Sequence, residues 1–314
     1  MNFHDVFEFL KERQSGGANT VLVTVCGVEG SSMRNPGTIM GVAEDGTYAG
    51  SLSGGCIETA VVAEAIDALR FGEPRITRFG AGSPYIDIKL PCGGGLDLHF
   101  QPLGDSDLAA KCLQSVQQRA PFSVTLSPVC PQHSPGWHPT SYNAAEGTAV
   151  FGHWPEPQLA IIGHGAGVAA LDRLAHTLGC RTQVYTPDDR IAADLESVST
   201  EVARLKRASE TGLLRSDPWT AFAFLFHDHD WETDLIERAL TLPHFYLGAM
   251  GGSKAHAARC EVLRARGVSD AQIAAIKAPI GVFHSSRDPQ TLALSALAEI
   301  IRTYQETDFG AAVG

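Results

Sequence analysis

Two of the chain's seven cysteines lie in glycine-rich segments, Gly50-Ser51-Leu52-Ser53-Gly54-Gly55-Cys56-Ile57-Glu58 and Leu90-Pro91-Cys92-Gly93-Gly94-Gly95. Glycine lets backbone come close to a bound group, and small neighbours leave N–H donors and one thiol facing outward. Donors and a soft sulfur together suit an anionic or sulfur-seeking ligand. The first segment runs into an apolar, alanine-rich stretch over 57–69 that predicts a helix. Cys56 and Glu58 would then occupy its first turn, where unpaired N–H groups stabilise a thiolate. Gly54, Gly55, Cys56, Glu58, Cys92, Gly93 and Gly94 are therefore the candidate binding residues of this half, with Cys92 the candidate metal ligand and Cys56 second. The plainer alternative is a pair of structural turns around buried cysteines.

A second set lies in the carboxyl half. Gln158-Leu159-Ala160-Ile161-Ile162 predicts a parallel central strand, followed by Gly163-His164-Gly165-Ala166-Gly167 and a helical pattern to Gly179. Strand, glycine turn and helix in this order form a dinucleotide-type unit, in which phosphate sits on N–H groups at the helix start. Gly163, Gly165 and Gly167 are its candidates. The third fingerprint glycine is Val168, and Thr186-Pro187 stands where a ribose-binding acid is expected, so the fold is indicated more firmly than NAD. Ala221 to Phe226 predicts another strand, ending in His227-Asp228-His229-Asp230-Trp231-Glu232-Thr233-Asp234. His227, Asp228 and His229 would lie at the rim of the crevice and hold a metal or polar ligand. The plainer reading makes Asp230 or Thr233 the cap of a helix over 234–240. Gly248 and Gly251 repeat the strand and glycine-turn pattern, and Arg287 precedes the last helix.

These segments need two scaffolds. Strands are predicted at 20–26, 37–42, 46–49, 75–79, 86–90 and 96–102, with helices over 4–13 and 108–119, giving a mixed α/β domain over 1–127. Residues 128–157 are dense in proline and predict a linker, whose His133, His138 and His153 would be solvated. Residues 158–314 predict a Rossmann-like, doubly wound α/β domain.

Composition narrows the classes. The net charge of −11 argues against nucleic acid, which needs clustered Lys and Arg. No apolar run has the length of a membrane span, and the start carries no basic and apolar leader, so a cytoplasmic protein is expected. The cysteines form no C-x-x-C pair, which predicts reduced thiols.

Gly30-Ser31-Ser32-Met33-Arg34-Asn35-Pro36-Gly37, Gly54-Gly55-Cys56-Ile57-Glu58 and Cys92-Gly93-Gly94 resemble the amino-terminal signature of the XdhC/CoxI family of xanthine dehydrogenase accessory proteins. The carboxyl half agrees through His227-Asp228-His229, Gly248-Ala249-Met250-Gly251, His256-Ala257-Ala258-Arg259 and Ala278-Pro279-Ile280-Gly281. The resemblance implies a chaperone that receives the molybdenum cofactor (molybdopterin), protects it while a terminal sulfur is installed, and delivers it to apo-xanthine dehydrogenase. Its implied partners are that enzyme and a NifS-type cysteine desulfurase. The two-domain layout is compatible with a homodimer, and the Rossmann crevice admits a nucleotide-like ligand. The competing class is an NAD(P)-type oxidoreductase with His227 or His229 as proton donor.

Overall fold

The computed structural model describes residues 3–30, 34–52, 54, 55, 57–83, 93–198, 200–227, 229–283 and 288–313, without the side chains of His229, Ala312 and Val313. Cys56, Cys92, Asp228, Arg287 and the strand expected at 86–90 lie outside the described residues. Two compact units divide the chain, Met1–Pro155 and Glu156–Gly314.

The first unit starts with α1 (Phe3–Ser15) and is built on β1 (Thr20–Glu29), whose β-branched run is buried along most of its length. β2 (Ile39–Ala43), β3 (Tyr48–Gly50), β4 (Arg75–Gly80) and β5 (Gly95–Pro102) complete an antiparallel sheet of order β3-β2-β1-β5-β4. The β2–β3 hairpin turns at Asp45, as expected, where the carboxylate accepts the Thr47 N–H at 2.9 Å. Alternation along β1 supplies two cores. Val21, Val23 and Val25 pack with Val61, Ala65 and Ala68 of α2 (Glu58–Phe71), spaced to fall on one helical stripe. Leu22 and Cys26 point the other way, toward α1 and α3 (Leu108–Gln117).

Residues 128–157 are not a linker. β6 (Phe122–Leu126), β7 (Gln132–Pro135), β8 (Ser141–Asn143) and β9 (Thr148–His153) form an antiparallel sheet of order β7-β6-β9-β8. Pro135 ends the edge strand β7, a position that tolerates a missing N–H. β9 alternates, with Ala149, Phe151 and His153 buried. His153 is therefore no solvated loop residue: its ring lies 4.6 Å from that of Phe3 and 4.8 Å from that of Phe122. His133 stacks on Phe122 and is half-buried, while His138 is exposed.

The second unit is Rossmann-like. β10 (Gln158–Gly163), α4 (Ala166–Thr177), β11 (Arg181–Thr186), α5 (Asp189–Glu196), β12 (Glu201–Arg204), β13 (Thr220–Leu225), α6 (His229–Ala239) and β14 (Tyr246–Ala249) follow in chain order, strand and helix alternating except between β12 and β13. α7 (Ser253–Ala265), α8 (Asp270–Ala275), α9 (Pro289–Glu306) and α10 (Phe309–Val313) follow. The sheet is parallel, of order β12-β11-β10-β13-β14, and β10 and β13 are buried throughout because helices cover both faces. Leu159 and Ile161 belong to the core with α4 and α9, Ala160 and Ile162 to the core with α6 and α7. Strand order reverses between β10 and β13, the place where doubly wound sheets open a ligand crevice. Among the described residues no helix is long and apolar enough to cross a membrane.

Burial pushes His99 and His153, both in the first unit, down to about 4 from 6.5. Both are neutral in the fold, so as pH falls through 6.5 the unfolded chain takes up protons first, and stability declines until about pH 4. Each site contributes on the order of 3 kcal/mol across that window. Urea midpoints should therefore fall between about pH 7 and pH 4.5, and His153→Phe, which keeps the ring stack, should flatten part of the slope. Equal slopes for wild type and His153→Phe would contradict this assignment.

Candidate functional site

In the first glycine segment, the donors of the described residues Ser51, Leu52, Gly54, Gly55 and Ile57 do not face outward. Glu58, the first residue of α2, turns back and is 5% exposed. Its Oε1 accepts the Ser51 hydroxyl at 2.8 Å and the N–H groups of Leu52 and Gly54 at 3.2 and 3.1 Å. Its Oε2 accepts the N–H groups of Gly55 and Ile57 at 2.9 and 3.2 Å. The expected anion cradle is thus filled by the chain's own carboxylate. Gly54 and Gly55 have φ of +81° and +112°, and a Cβ on either would meet nothing within 4 Å. Conformation, not crowding, requires glycine at both positions.

The second segment enters β5 beside an arginine clamp. Gly93 is exposed with φ +70°, while the Gly94 carbonyl accepts the Ala81 N–H at 2.9 Å. The Arg78 guanidinium bonds Asp97 at 3.1 Å, also pairs with Glu29, and donates from Nε to the Ala81 carbonyl at 2.7 Å. A Cβ on Gly95 would lie 2.8 Å from that same carbonyl oxygen. The antiparallel order puts the ends of β1, β3 and β4 and the start of β5 at one end of the sheet. Both glycine segments therefore leave from that end, with β3 and β5 three strand spacings, about 14 Å, apart.

Among the other described thiols Cys130 is exposed, while Cys26, Cys112, Cys180 and Cys260 are buried. Burial pushes Cys26 up to about 12 and raises Cys112 and Cys180, which suits packing and not chemistry.

In the second unit, the three glycines of the first turn have different reasons. A Cβ on Gly163 would sit 2.5 Å from the Leu225 carbonyl oxygen, so glycine lets β10 and β13 approach. Gly165 has φ +78° with open space beside it, and no side chain caps the first turn of α4. A Cβ on Gly167 would only touch Leu292, at an ordinary 3.5 Å. A helix start whose N-cap is a glycine leaves its N–H groups without a cap from that residue. His164 lies within the Gly165 turn, and its ring centroid is 5.8 Å from that of His227 at the end of β13. Sequence reasoning singled out His227 and passed over His164, which only the adjacency of β10 and β13 brings to it. A cleft of about 980 Å³ adjoins the turn, lined by Gly165, Ala169, Asp188, Arg190 and Leu294 among others.

The ribose position is Thr186, and the first acid after it is a helix cap. Asp188 caps α5, its Oδ1 accepting the N–H groups of Arg190 and Ile191 at 3.0 and 3.2 Å, and Thr186 is buried.

Neither Asp230 nor Thr233 caps a helix over 234–240. α6 begins at His229, which places Asp230, Glu232 and Thr233 inside it. Glu232 is bound by Arg259 of α7, Nε to Oε1 at 2.9 Å and Nη2 to Oε2 at 3.2 Å, with both side chains 1% exposed. Arg259 also donates to the Met250 carbonyl at 2.7 Å, beside Gly251 with φ +118°. The pair ties the end of β14 to the start of α6. Gly248 serves packing as well: a Cβ there would collide with the Tyr246 phenol, which reaches Glu299 of α9 at 2.5 Å.

Residues 159–300 match the profile of the XdhC Rossmann domain, and residues 14–80 that of the XdhC and CoxI family. The chain is 33% identical over 312 residues to the molybdenum cofactor insertion chaperone PaoD of Escherichia coli strain K12, covering 96% of this chain and 90% of that protein. It is 25% identical over 290 residues to the uncharacterised protein YqeB of the same organism, covering 87% of this chain and 41% of that one. A crystal structure of a xanthine dehydrogenase from Bacillus halodurans matches with a TM-score of 0.78 over 98% of this chain and 97% of that one, at 20% identity, a likeness of fold.

Removing one member of the Glu232–Arg259 pair leaves a buried charge without its partner, so Arg259→Leu should cost about 3–5 kcal/mol. Chemical denaturation of the variant checks it. A loss below about 1 kcal/mol would show that the pair is not the tie described.

Proposed function

Because the chain belongs to the XdhC and CoxI family, we propose that it is a cytoplasmic carrier that binds the molybdenum cofactor and inserts it into an apo-molybdoenzyme of the xanthine dehydrogenase type. It shields the cofactor while the terminal sulfur is installed by a NifS-type cysteine desulfurase. One observation carries this reading: the relation to an insertion chaperone runs through both units at 33% identity, not through a Rossmann domain alone.

The cargo combines a soft metal–dithiolene centre with a phosphate tail, and the chain holds candidate groups for each. Cys92 and Cys56 are the soft donors, carried on segments that leave one end of the first sheet. The uncapped Gly165 turn offers N–H groups to a phosphate, and the imidazoles of His164 and His227 stand beside it as further donors. Arg287, Asp228 and His229 join the second set as proposals from sequence. Against the oxidoreductase alternative stands Thr186, buried where a ribose-binding acid is expected.

Protein purified from a host that makes the cofactor should contain molybdenum and pterin together. Cys92→Ser and Cys56→Ala should each lower that content about tenfold or more without a large change in melting temperature, as loss of a metal-site group does. Gly165→Val fills the space beside the turn and should weaken retention of the phosphate-bearing cargo. Wild-type content in all three variants, or saturable low-micromolar binding of NAD to the wild type, would overturn the reading.

A further inference from the structure

Glu58 stands out because one buried carboxylate collects so many donors from its own loop. Three peptide N–H groups and a hydroxyl come from residues 51–55, and a further N–H comes from Ile57. Charge-assisted bonds of this kind are short and strong, and each N–H would otherwise need water or a ligand. Gly54 adds a bond to the Ser51 oxygen at 3.0 Å, so the hydroxyl relays between loop and carboxylate. With φ of +81° and +112°, Gly54 and Gly55 curl the backbone around the two carboxylate oxygens. Gly55 and Ile57, the chain neighbours of Cys56, both donate to the same atom, Glu58 Oε2.

We infer that Glu58 is a positioning residue: its carboxylate is the fixed internal anion that residues 51, 52, 54, 55 and 57 close around, and the reactivity of Cys56 depends on it without Glu58 itself contacting the cargo. That Cys56 then meets the cargo rests on the function proposed above. The role given to Glu58 does not. A carboxylate whose two oxygens already accept five donors has little capacity left for an external ligand, whereas a glycine loop without that anion loses the acceptor those five donors share. Glu58→Ala should therefore leave a nest that takes up a small free carboxylate. Glu58→Gln fills the same volume but turns an NH₂ group toward N–H donors, and it should not be rescued.

The test is the rate at which Cys56 of the full-length, cargo-free protein is alkylated by iodoacetamide, read by mass spectrometry of its peptide. The rate in Glu58→Ala should differ from wild type by about tenfold, the scale of losing charge-assisted bonds worth a kcal/mol or more. Excess acetate should return it toward wild type, while chloride at equal ionic strength should not. Glu58→Gln should show the altered rate with and without acetate. Should Glu58→Ala fold only in acetate, the template role is supported directly. If it folds in neither salt, Glu58→Gln decides alone: an altered Cys56 rate in the folded variant supports the role and a wild-type rate overturns it. A folded Glu58→Ala with the wild-type rate, or with an altered rate that acetate leaves unchanged, overturns it as well. Cofactor content measured on the same variants separates the two claims. Labelling that responds while content does not would leave Glu58 as the template and remove Cys56 from the cargo site.

Discussion

A peptide N–H withdrawn from water must find an acceptor, and the chain's glycine turns meet that demand in two ways. In the first unit Glu58 is the acceptor, and the loop carrying Cys56 is organised by the protein itself. At the Gly165 turn the N-cap is a glycine and no described side chain is seen to take that part, which is the kind of helix start that attracts an anion. The same sequence signal, glycines at the start of an apolar helix, therefore has opposite consequences.

The scaffolds explain why these loops lie where they do. In the antiparallel sheet of the first unit, the strand order gathers both glycine–cysteine segments at one end, and the Arg78–Asp97 pair stiffens the entry to β5 there. In the parallel sheet of the second, the reversal of order between β10 and β13 sets His164 beside His227. The buried Glu232–Arg259 pair then fastens the neighbouring turn after β14. A buried ion pair is a poor source of stability but a good source of geometry, since it has few alternative arrangements. A carrier needs such geometry more than it needs reactive groups.

Much of this was legible in the sequence. The apolar runs of β10 and β13 announce strands covered on both faces, and the helix after Cys56 follows from its alanine-rich stripe. The second sheet of the first unit was hidden because its strands are short and lie among prolines; only the alternation Ala149, Phe151, His153 betrays β9. β12, an edge strand of Glu201 to Arg204, carries too little apolar character to be read. Of the site, Glu58 was legible as a residue and not as a role, because outward-facing donors and donors folded onto a carboxylate share one sequence. Glu232 and Arg259 are 27 residues apart, and no local pattern couples them. His164 needed the register between two strands that are distant in sequence.

The central claim is that the protein works by handing over cargo once per molecule. It is tested most directly by titrating cofactor-loaded protein into a fixed amount of apo-molybdoenzyme and following recovered activity with the carrier's remaining molybdenum. The account predicts that activity rises linearly and levels off near one loaded carrier per vacant site, with molybdenum leaving the carrier in step. Full recovery from a trace of carrier, or recovery while the carrier keeps its molybdenum, would contradict it.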